Sequence, residues 1–146
     1  MNTSVCKAQN PTLRLLVKVN VAERNVNHAN DNFILIKSFN NGYYEKIWFD
    51  DIVMVKSSGN YSTIFTSYSK SYFTSKTLKH WEEILKLDKS FLRTHASFLI
   101  NKYHIKGVDK KNQKLQLLHG FYASVSRRTW GSILKNISIN INLNLL

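Results

Sequence analysis

The sequence predicts a mainly β fold in which short antiparallel sheets are accompanied by two small helices. From residue 33 to residue 125, short runs rich in β-branched and aromatic residues alternate with turn-forming residues. Only two segments show apolar residues at helical spacing, and each follows a residue type that caps helices. Strand-like segments thus outnumber helix-like segments, which predicts β-structure over most of the chain.

The predicted strands are short and are separated by turn signals. Asn40-Asn41-Gly42 is a hairpin-turn candidate, Asp50-Asp51 separates two strands, and Ser57-Ser58-Gly59-Asn60 has the composition of a loop. Strands are predicted over residues 33–36, 44–49, 52–56, 61–66, 72–74, 91–101, 104–108, 114–118 and 121–125.

The two helices are predicted from spacing and from their first residues. Thr77 is placed to cap the first helix, of about ten residues, whose apolar positions recur at intervals of three and four. Ser126 is placed to cap the second. The apolar positions are Leu78, Trp81, Ile84, Leu85 and Leu87 in the first helix and Trp130, Ile133, Leu134 and Ile137 in the second.

Changes in composition divide the chain into three parts. Residues 1–31 contain the only proline and an Asn-rich run, which is typical of a tail or linker, although alternating apolar residues over 13–21 also fit a short added strand. Residues 32–137 form the predicted domain. In residues 138–146 apolar side chains alternate with Asn or Ser, so this end is predicted to be a tail or an edge strand.

Composition limits the function classes. The 146 residues include 43% hydrophobic residues, and 21 Lys and Arg outnumber nine acids to give a net charge of +12. Such an excess favours a polyanionic partner: nucleic acid, an anionic membrane surface or an acidic protein. We expect a cytoplasmic protein that is not membrane-bound, because no long apolar run or signal peptide is present and a single cysteine permits no internal disulfide.

The segment Phe91–Asn101 carries the most specific pattern. Arg93, His95 and Ser97 occupy every second position, as in a half-buried strand, with Arg93 and His95 on one face. The segment also resembles the signature of the LytTR family, the DNA-binding domain of bacterial response regulators. That signature runs as an aromatic residue, then Arg, His and Ser at every second position, closed by Val or Ile and Asn.

Three further segments resemble the same family and occur in its order: residues 52–61, residues 75–81 and residues 123–128. Together the four segments extend the resemblance over residues 32–137. It implies an elongated arrangement of short antiparallel sheets and a transcriptional regulator that binds DNA through loops. No receiver domain precedes the motifs in this sequence, so we expect a stand-alone regulator or a fragment of one.

Candidate DNA-binding residues follow from the resemblance together with the chemistry of readout. Reading base edges in the major groove requires polar side chains on a rigid scaffold. Arginines at a helix start also suit phosphates. Ala96 stands where members usually carry Arg, Lys or Asn, and its methyl group can touch thymine but cannot hydrogen-bond to a base. The candidates are Asn60, Tyr61, Ser62, Arg93, His95, Ala96, Ser97, Ser126, Arg127 and Arg128.

The resemblance further implies double-stranded DNA as the partner, bound as repeated half-sites by two copies. We expect no metal and no cofactor, because His80, His95 and His104 lack zinc-site spacing. We expect no enzyme, because no nucleophile elbow or Gly-rich phosphate loop is present. Two alternatives remain: a basic β module that binds RNA or single strands by aromatic stacking, and an adaptor that inhibits another LytTR regulator without binding DNA.

Overall fold

The computed structural model describes residues 32–38 and 42–141, with the side chains of 139–141 excepted. Within these residues the chain forms ten strands and two α-helices, as the sequence predicts for a mainly β fold. Their bounds are β1 (Phe33–Lys37), β2 (Tyr44–Trp48), β3 (Ile52–Ser58), β4 (Tyr61–Thr66), β5 (Ser71–Thr74), α1 (Leu78–Leu85), β6 (Phe91–His95), β7 (Phe98–Asn101), β8 (Ile105–Asp109), β9 (Lys114–Leu117), β10 (Tyr122–Ser124) and α2 (Trp130–Ile141).

The strands form three antiparallel sheets. The largest has five strands in the order β5-β4-β3-β7-β6, the second has three in the order β10-β9-β8, and β1 pairs with β2 alone. Because β3 pairs with both β4 and β7, the hairpin formed by β3 and β4 lies beside the hairpin formed by β6 and β7. The turns of the two hairpins consequently lie at the same end of the sheet.

The five-stranded sheet buries both of its faces. One face packs with α1 and the hairpin of β1 and β2, in a cluster that includes Ile47, Ile64 and Trp81. The other face packs with the three-stranded sheet and α2, in a cluster that includes Ile100, Leu115 and Ile137. This explains why β3 begins as a continuous apolar run, since a strand buried on both sides does not alternate.

Polar contacts attach the hairpin of β1 and β2 to the edge of the large sheet. Glu45 Oε2 accepts hydrogen bonds from Lys70 Nζ at 2.5 Å and from Tyr72 Oη at 2.9 Å. Burial, together with hydrogen bonds to Tyr68 and Glu45, raises the pKa of the Tyr72 hydroxyl well above its ordinary value. That hydroxyl therefore remains protonated and continues to donate to Glu45.

The segment Phe91–Asn101 is a hairpin rather than the single strand that its alternation predicts. β6 ends at His95, Ala96 and Ser97 form a turn, and β7 begins at Phe98. The pairing of β6 with β7 shifts register between Arg93 and His95. The period-two pattern cannot distinguish one long strand from two short strands, because Ser97 sits in the turn yet keeps the alternation.

Both helices exist, but α2 differs from the prediction at each end. Thr77 caps α1 as expected, accepting a hydrogen bond from the His80 amide at 3.3 Å. In contrast, Ser126 opens a separate turn, and the amide of Ile133 bonds to the carbonyl of Thr129 immediately before α2. At its far end α2 runs to Ile141, so residues 138–141 are helical rather than a tail or edge strand. The predictions for residues 1–31, 39–41 and 142–146 lie outside the described residues.

Candidate nucleic-acid interface

Backbone hydrogen bonds bring three turns to one edge of the molecule. The amide of Ser57, beside the first turn, donates to the carbonyl of Ser97 in the second at 2.9 Å. The carbonyl of Thr94, beside the second turn, accepts from the amide of Ser126 in the third at 2.8 Å. The edge formed by Gly59-Asn60, Ala96-Ser97 and Ser126–Thr129, hereafter the three-turn edge, contains six of the ten sequence candidates. Tyr61 and His95 adjoin it, whereas Ser62 and Arg93 lie further along their strands.

The first turn joins β3 to β4 through two residues. Gly59 has a φ of +63°, and glycine at the first central position is typical of a type II′ hairpin. Asn60 is exposed at the tip of this turn. Tyr61 is also exposed and stacks on Phe73 with ring centroids 5.3 Å apart. The turn therefore presents one amide and one aromatic side chain to the outside.

Ser62, the next candidate along the chain, lies in the interior. Its side chain is fully buried, donates to the carbonyl of Lys76 at 2.7 Å and lies 3.1 Å from Thr74 Oγ1. These bonds use the hydroxyl to join β4 to the end of β5. The small size of this residue is explained by packing, and its hydroxyl cannot reach a base from this position.

Arg93 clamps the second turn. Its guanidinium donates from Nε to the carbonyl of His95 at 2.8 Å and from one terminal nitrogen to the carbonyl of Ala96 at 2.7 Å. The other terminal nitrogen forms an ion pair with Glu82 on α1. The planar, forked guanidinium group therefore donates to three acceptors at once, an arrangement that a lysine ammonium group cannot reproduce. Arg93 is thus positioned to hold the turn rather than to reach beyond it.

The remaining residues of the second turn are accessible. The ring of His95 accepts the Ser97 amide on Nδ1 at 3.1 Å, so a neutral ring carries its proton on Nε2 and can donate there. Ala96 is exposed at the tip, while His95 and Ser97 are half-buried. Hydrogen bonds from the Arg93 guanidinium, to the His95 ring and from the Ser57 amide all hold this turn. Its outermost side chain is the methyl group of Ala96.

The third turn carries two arginines. The Thr129 amide donates to the Ser126 carbonyl at 3.1 Å, and the two hydroxyls lie 2.6 Å apart. Arg127 and Arg128 occupy the central positions and are exposed. Neither arginine forms an ion pair or side-chain hydrogen bond with the described part of the chain. Both guanidinium groups are therefore available to an external anion.

Further lysines flank the edge and were not singled out by the sequence patterns. The amide of Val125 donates to the carbonyl of Gln113 at 2.9 Å, which places the turn after β8 beside the third turn. Lys110 and Lys111 are exposed in that turn, and Lys56 is exposed near the end of β3. A lysine pair between two predicted strands is a visible signal, but the pairing of β9 with β10 is needed to bring it here.

Two aromatic residues of the large sheet that a single-strand-binding module could use for base stacking are engaged in packing: Tyr72 is buried, and Phe65 packs on Phe121 with centroids 4.8 Å apart. Residues 32–38 and 42–141 contain no group of three or more His, Cys, Asp or Glu side chains that could hold a metal ion. In the same part of the chain no helix has the length and apolar character needed to cross a membrane.

Comparisons with known proteins concern the domain as a whole. A family model for the LytTr DNA-binding domain matches residues 43–138. The sensory transduction protein LytR of Staphylococcus epidermidis is 35% identical over 83 residues, which cover 54% of this chain and 32% of that protein. The chain therefore spans about a third of the length of that curated relative.

A solved structure has the same fold. The LytTr DNA-binding domain of a methyl-accepting/DNA response regulator from Bacillus cereus superposes with a TM-score of 0.58 at 19% identity, covering 74% of this chain and 97% of that one. The class defined by fold and site is a β-rich DNA-binding domain. The chain belongs to the LytTR family of DNA-binding domains.

Proposed function

We propose that the chain is a sequence-specific transcriptional regulator that inserts the three-turn edge, rather than a recognition helix, into the major groove of double-stranded DNA. The observation that carries this proposal is the convergence of three turns through the Ser57–Ser97 and Thr94–Ser126 hydrogen bonds. Rigid turns on a sheet can hold polar side chains at fixed positions against base edges.

The side chains divide into two groups by the contacts they can make. We propose that Asn60 and Arg127 read bases, because an amide group matches the adenine edge and a guanidinium group matches the guanine edge. Arg128, Lys110 and Lys111 are proposed to contact phosphates, since cations that line a groove neutralise the backbone and release counterions. Ser62 is buried and Arg93 clamps the second turn, so both residues are proposed to shape the edge.

The second turn contributes shape more than hydrogen bonds. Ala96 offers only a methyl group, which suits contact with a thymine methyl, while His95 Nε2 and the Ser97 hydroxyl can donate to acceptors. Specificity at this turn is therefore modest, and affinity depends strongly on phosphates. We also propose that two copies bind repeated half-sites, as the family resemblance implies. A cytoplasmic location is proposed because a single cysteine permits no internal disulfide, which suits a reducing compartment.

Selection of bound sequences from random duplex DNA tests the proposal. We expect one enriched motif that recurs as a repeat, with two copies bound per enriched duplex. If about five cations meet phosphates, log K should fall with log salt at a slope of roughly −4 to −5. No enrichment with a flat salt response would favour the adaptor, and tighter binding of single-stranded RNA than of any duplex would favour the RNA-binding alternative.

Arg127→Ala tests the base contact. On the selected duplex it should cost about 1–3 kcal/mol, and it should cost less on random DNA. Lys89→Ala is the matched control, because Lys89 is an exposed cation at the opposite end of β6. Equal losses on both duplexes would make Arg127 a phosphate contact instead.

A further inference from the structure

A cleft lies between the hairpin of β1 and β2 and the edge of the large sheet, near the end of the sheet that carries the first turn. Its volume is about 560 Å³, within the range of about 300–1,000 Å³ that is usual for small-molecule sites. Residues of β1 and β2 form one wall, while the end of β5 and α1 form the other. The apolar part of the lining consists of Leu35, Ile36, Tyr44, Phe73 and Trp81.

The charged part of the lining is entirely basic. Lys37 and Lys76 are exposed and both border the cleft, whereas no Asp or Glu among the described residues lines it. The acid on the same hairpin, Glu45, is engaged by Lys70 and Tyr72. The cleft thus combines an apolar body with uncompensated positive charge, which suits a ligand with an apolar body and a negative head.

Ser62 forms a hydrogen-bond network, hereafter the floor, with three residues that line the cleft: Thr74, Lys76 and Trp81. The donor and acceptor of each bond in the floor can be assigned. Trp81 Nε1 donates to Thr74 Oγ1 at 3.0 Å, and the Lys76 amide donates to the same oxygen at 3.3 Å. Ser62 Oγ donates to the Lys76 carbonyl at 2.7 Å. The proton of the Thr74 hydroxyl must therefore point to Ser62 Oγ, 3.1 Å away. Such a fully satisfied buried network is rigid.

This floor connects the cleft to the three-turn edge. Ser62 follows Tyr61 directly, and Tyr61 begins β4 at the first turn. Lys76 borders the cleft and lies two residues after the end of β5. Because Ser62 pairs with Thr74, Lys76 lies at the same end of the sheet as Gly59-Asn60. An anion held at Lys76 would consequently change both the charge and the packing next to the first turn.

We propose that this cleft binds a small amphipathic carboxylate, with the apolar chain against Leu35, Phe73 and Trp81 and the carboxylate between Lys37 and Lys76, and that its occupancy weakens duplex binding. The cationic lining favours an anion over a neutral ligand of the same shape. Because coupling between two sites is reciprocal, duplex DNA must weaken carboxylate binding by the same factor.

Binding is tested first without DNA, so that its failure is distinguishable from a failure of the proposed function. Decanoate and decanol are titrated into the full chain by calorimetry. We expect saturable binding of one decanoate per chain, with decanol at least about tenfold weaker, which corresponds to about 1.4 kcal/mol. Absence of saturable decanoate binding, or equal binding of decanol, would overturn the assigned ligand class.

Variants locate the site. Lys37→Glu and Leu35→Glu should each weaken decanoate binding by at least about tenfold, and both positions are exposed, so the fold should tolerate them. Lys89→Glu and Leu87→Glu are the matched controls, since both residues are exposed and neither borders the cleft. Equal losses in variants and controls would show that decanoate binds elsewhere.

The coupling is tested last, on the selected duplex. Saturating decanoate should weaken duplex binding of the unaltered chain by about threefold or more and leave duplex binding by Lys37→Glu unchanged at the same concentration. An unchanged duplex affinity of the unaltered chain at saturating decanoate would overturn the coupling.

Discussion

Replacing Arg93 by lysine keeps the positive charge but removes the planar fork. In the structure the guanidinium bonds to Glu82 and to the carbonyls of His95 and Ala96. A lysine can retain the ion pair with Glu82, but it cannot reach the two carbonyls at the same time. Arg93→Lys therefore isolates the contribution of the clamp on the second turn.

The expected cost follows from the two lost hydrogen bonds. A hydrogen bond to a charged group contributes about 1.5–3 kcal/mol when it is well buried. The Arg93 side chain is 30% exposed, so water replaces part of each bond and a total of about 1–2 kcal/mol is expected. For a domain of this size that loss lowers the melting temperature by roughly 4–10 °C.

The assay combines thermal unfolding with duplex affinity. Arg128→Lys is the matched control, because Arg128 is exposed and makes no side-chain hydrogen bond within the described residues, and its melting temperature should stay unchanged. The reasoning would be refuted if Arg93→Lys melted like the unaltered chain yet lost 1–3 kcal/mol on the selected duplex only, since Arg93 would then read a base directly.

Three further substitutions probe the edge and its support. Ser62→Ala should destabilise the domain by about 1–2 kcal/mol in urea unfolding, because it removes the donor to the Lys76 carbonyl and the acceptor of the Thr74 hydroxyl proton; unaltered stability would argue against the assigned network. Gly59→Ala should cost about 1 kcal/mol, since φ is +63° and a Cβ there meets no neighbouring atom, so only backbone strain counts; a stabilised variant would exclude this turn geometry. Ala96→Arg should leave the melting temperature unchanged, because residue 96 is exposed, and should tighten duplex binding by about 1 kcal/mol or more; unchanged affinity would place residue 96 away from the DNA.

Local signals were sufficient for most of the fold. The apolar, β-branched run of β1, the cap at Thr77 and the helical spacing in α1 each depend on only a few neighbouring residues of sequence. The prediction of a single strand over Phe91–Asn101 was wrong, because the period of two continues through the turn at Ala96-Ser97. Arg93 clamps this turn, and one of its three partners, Glu82, lies on a different element, so a local pattern does not reveal the clamp.

Among the candidate residues, Ser62 and Arg93 make contacts inside the domain that the sequence patterns did not predict. The patterns identified the first turn and marked Ser126 as a junction, whereas the second turn was predicted as part of one strand. They could not show that Ser62 is buried, since that depends on pairing with Thr74 on β5. Nor could they bring Lys110 and Lys111 beside Ser126, because this requires the register of β9 against β10.

The most direct test of the three-turn edge is an NMR titration of the full chain with the selected duplex, following backbone amides. We predict that the large chemical-shift changes fall on residues 58–61, 95–98 and 126–129, with smaller changes at 110–113 next to the third turn. The opposite end of the large sheet, around residues 88–90 and 102–104, should remain unchanged. Large changes confined to that opposite end, or changes at only one of the three turns, would contradict the account.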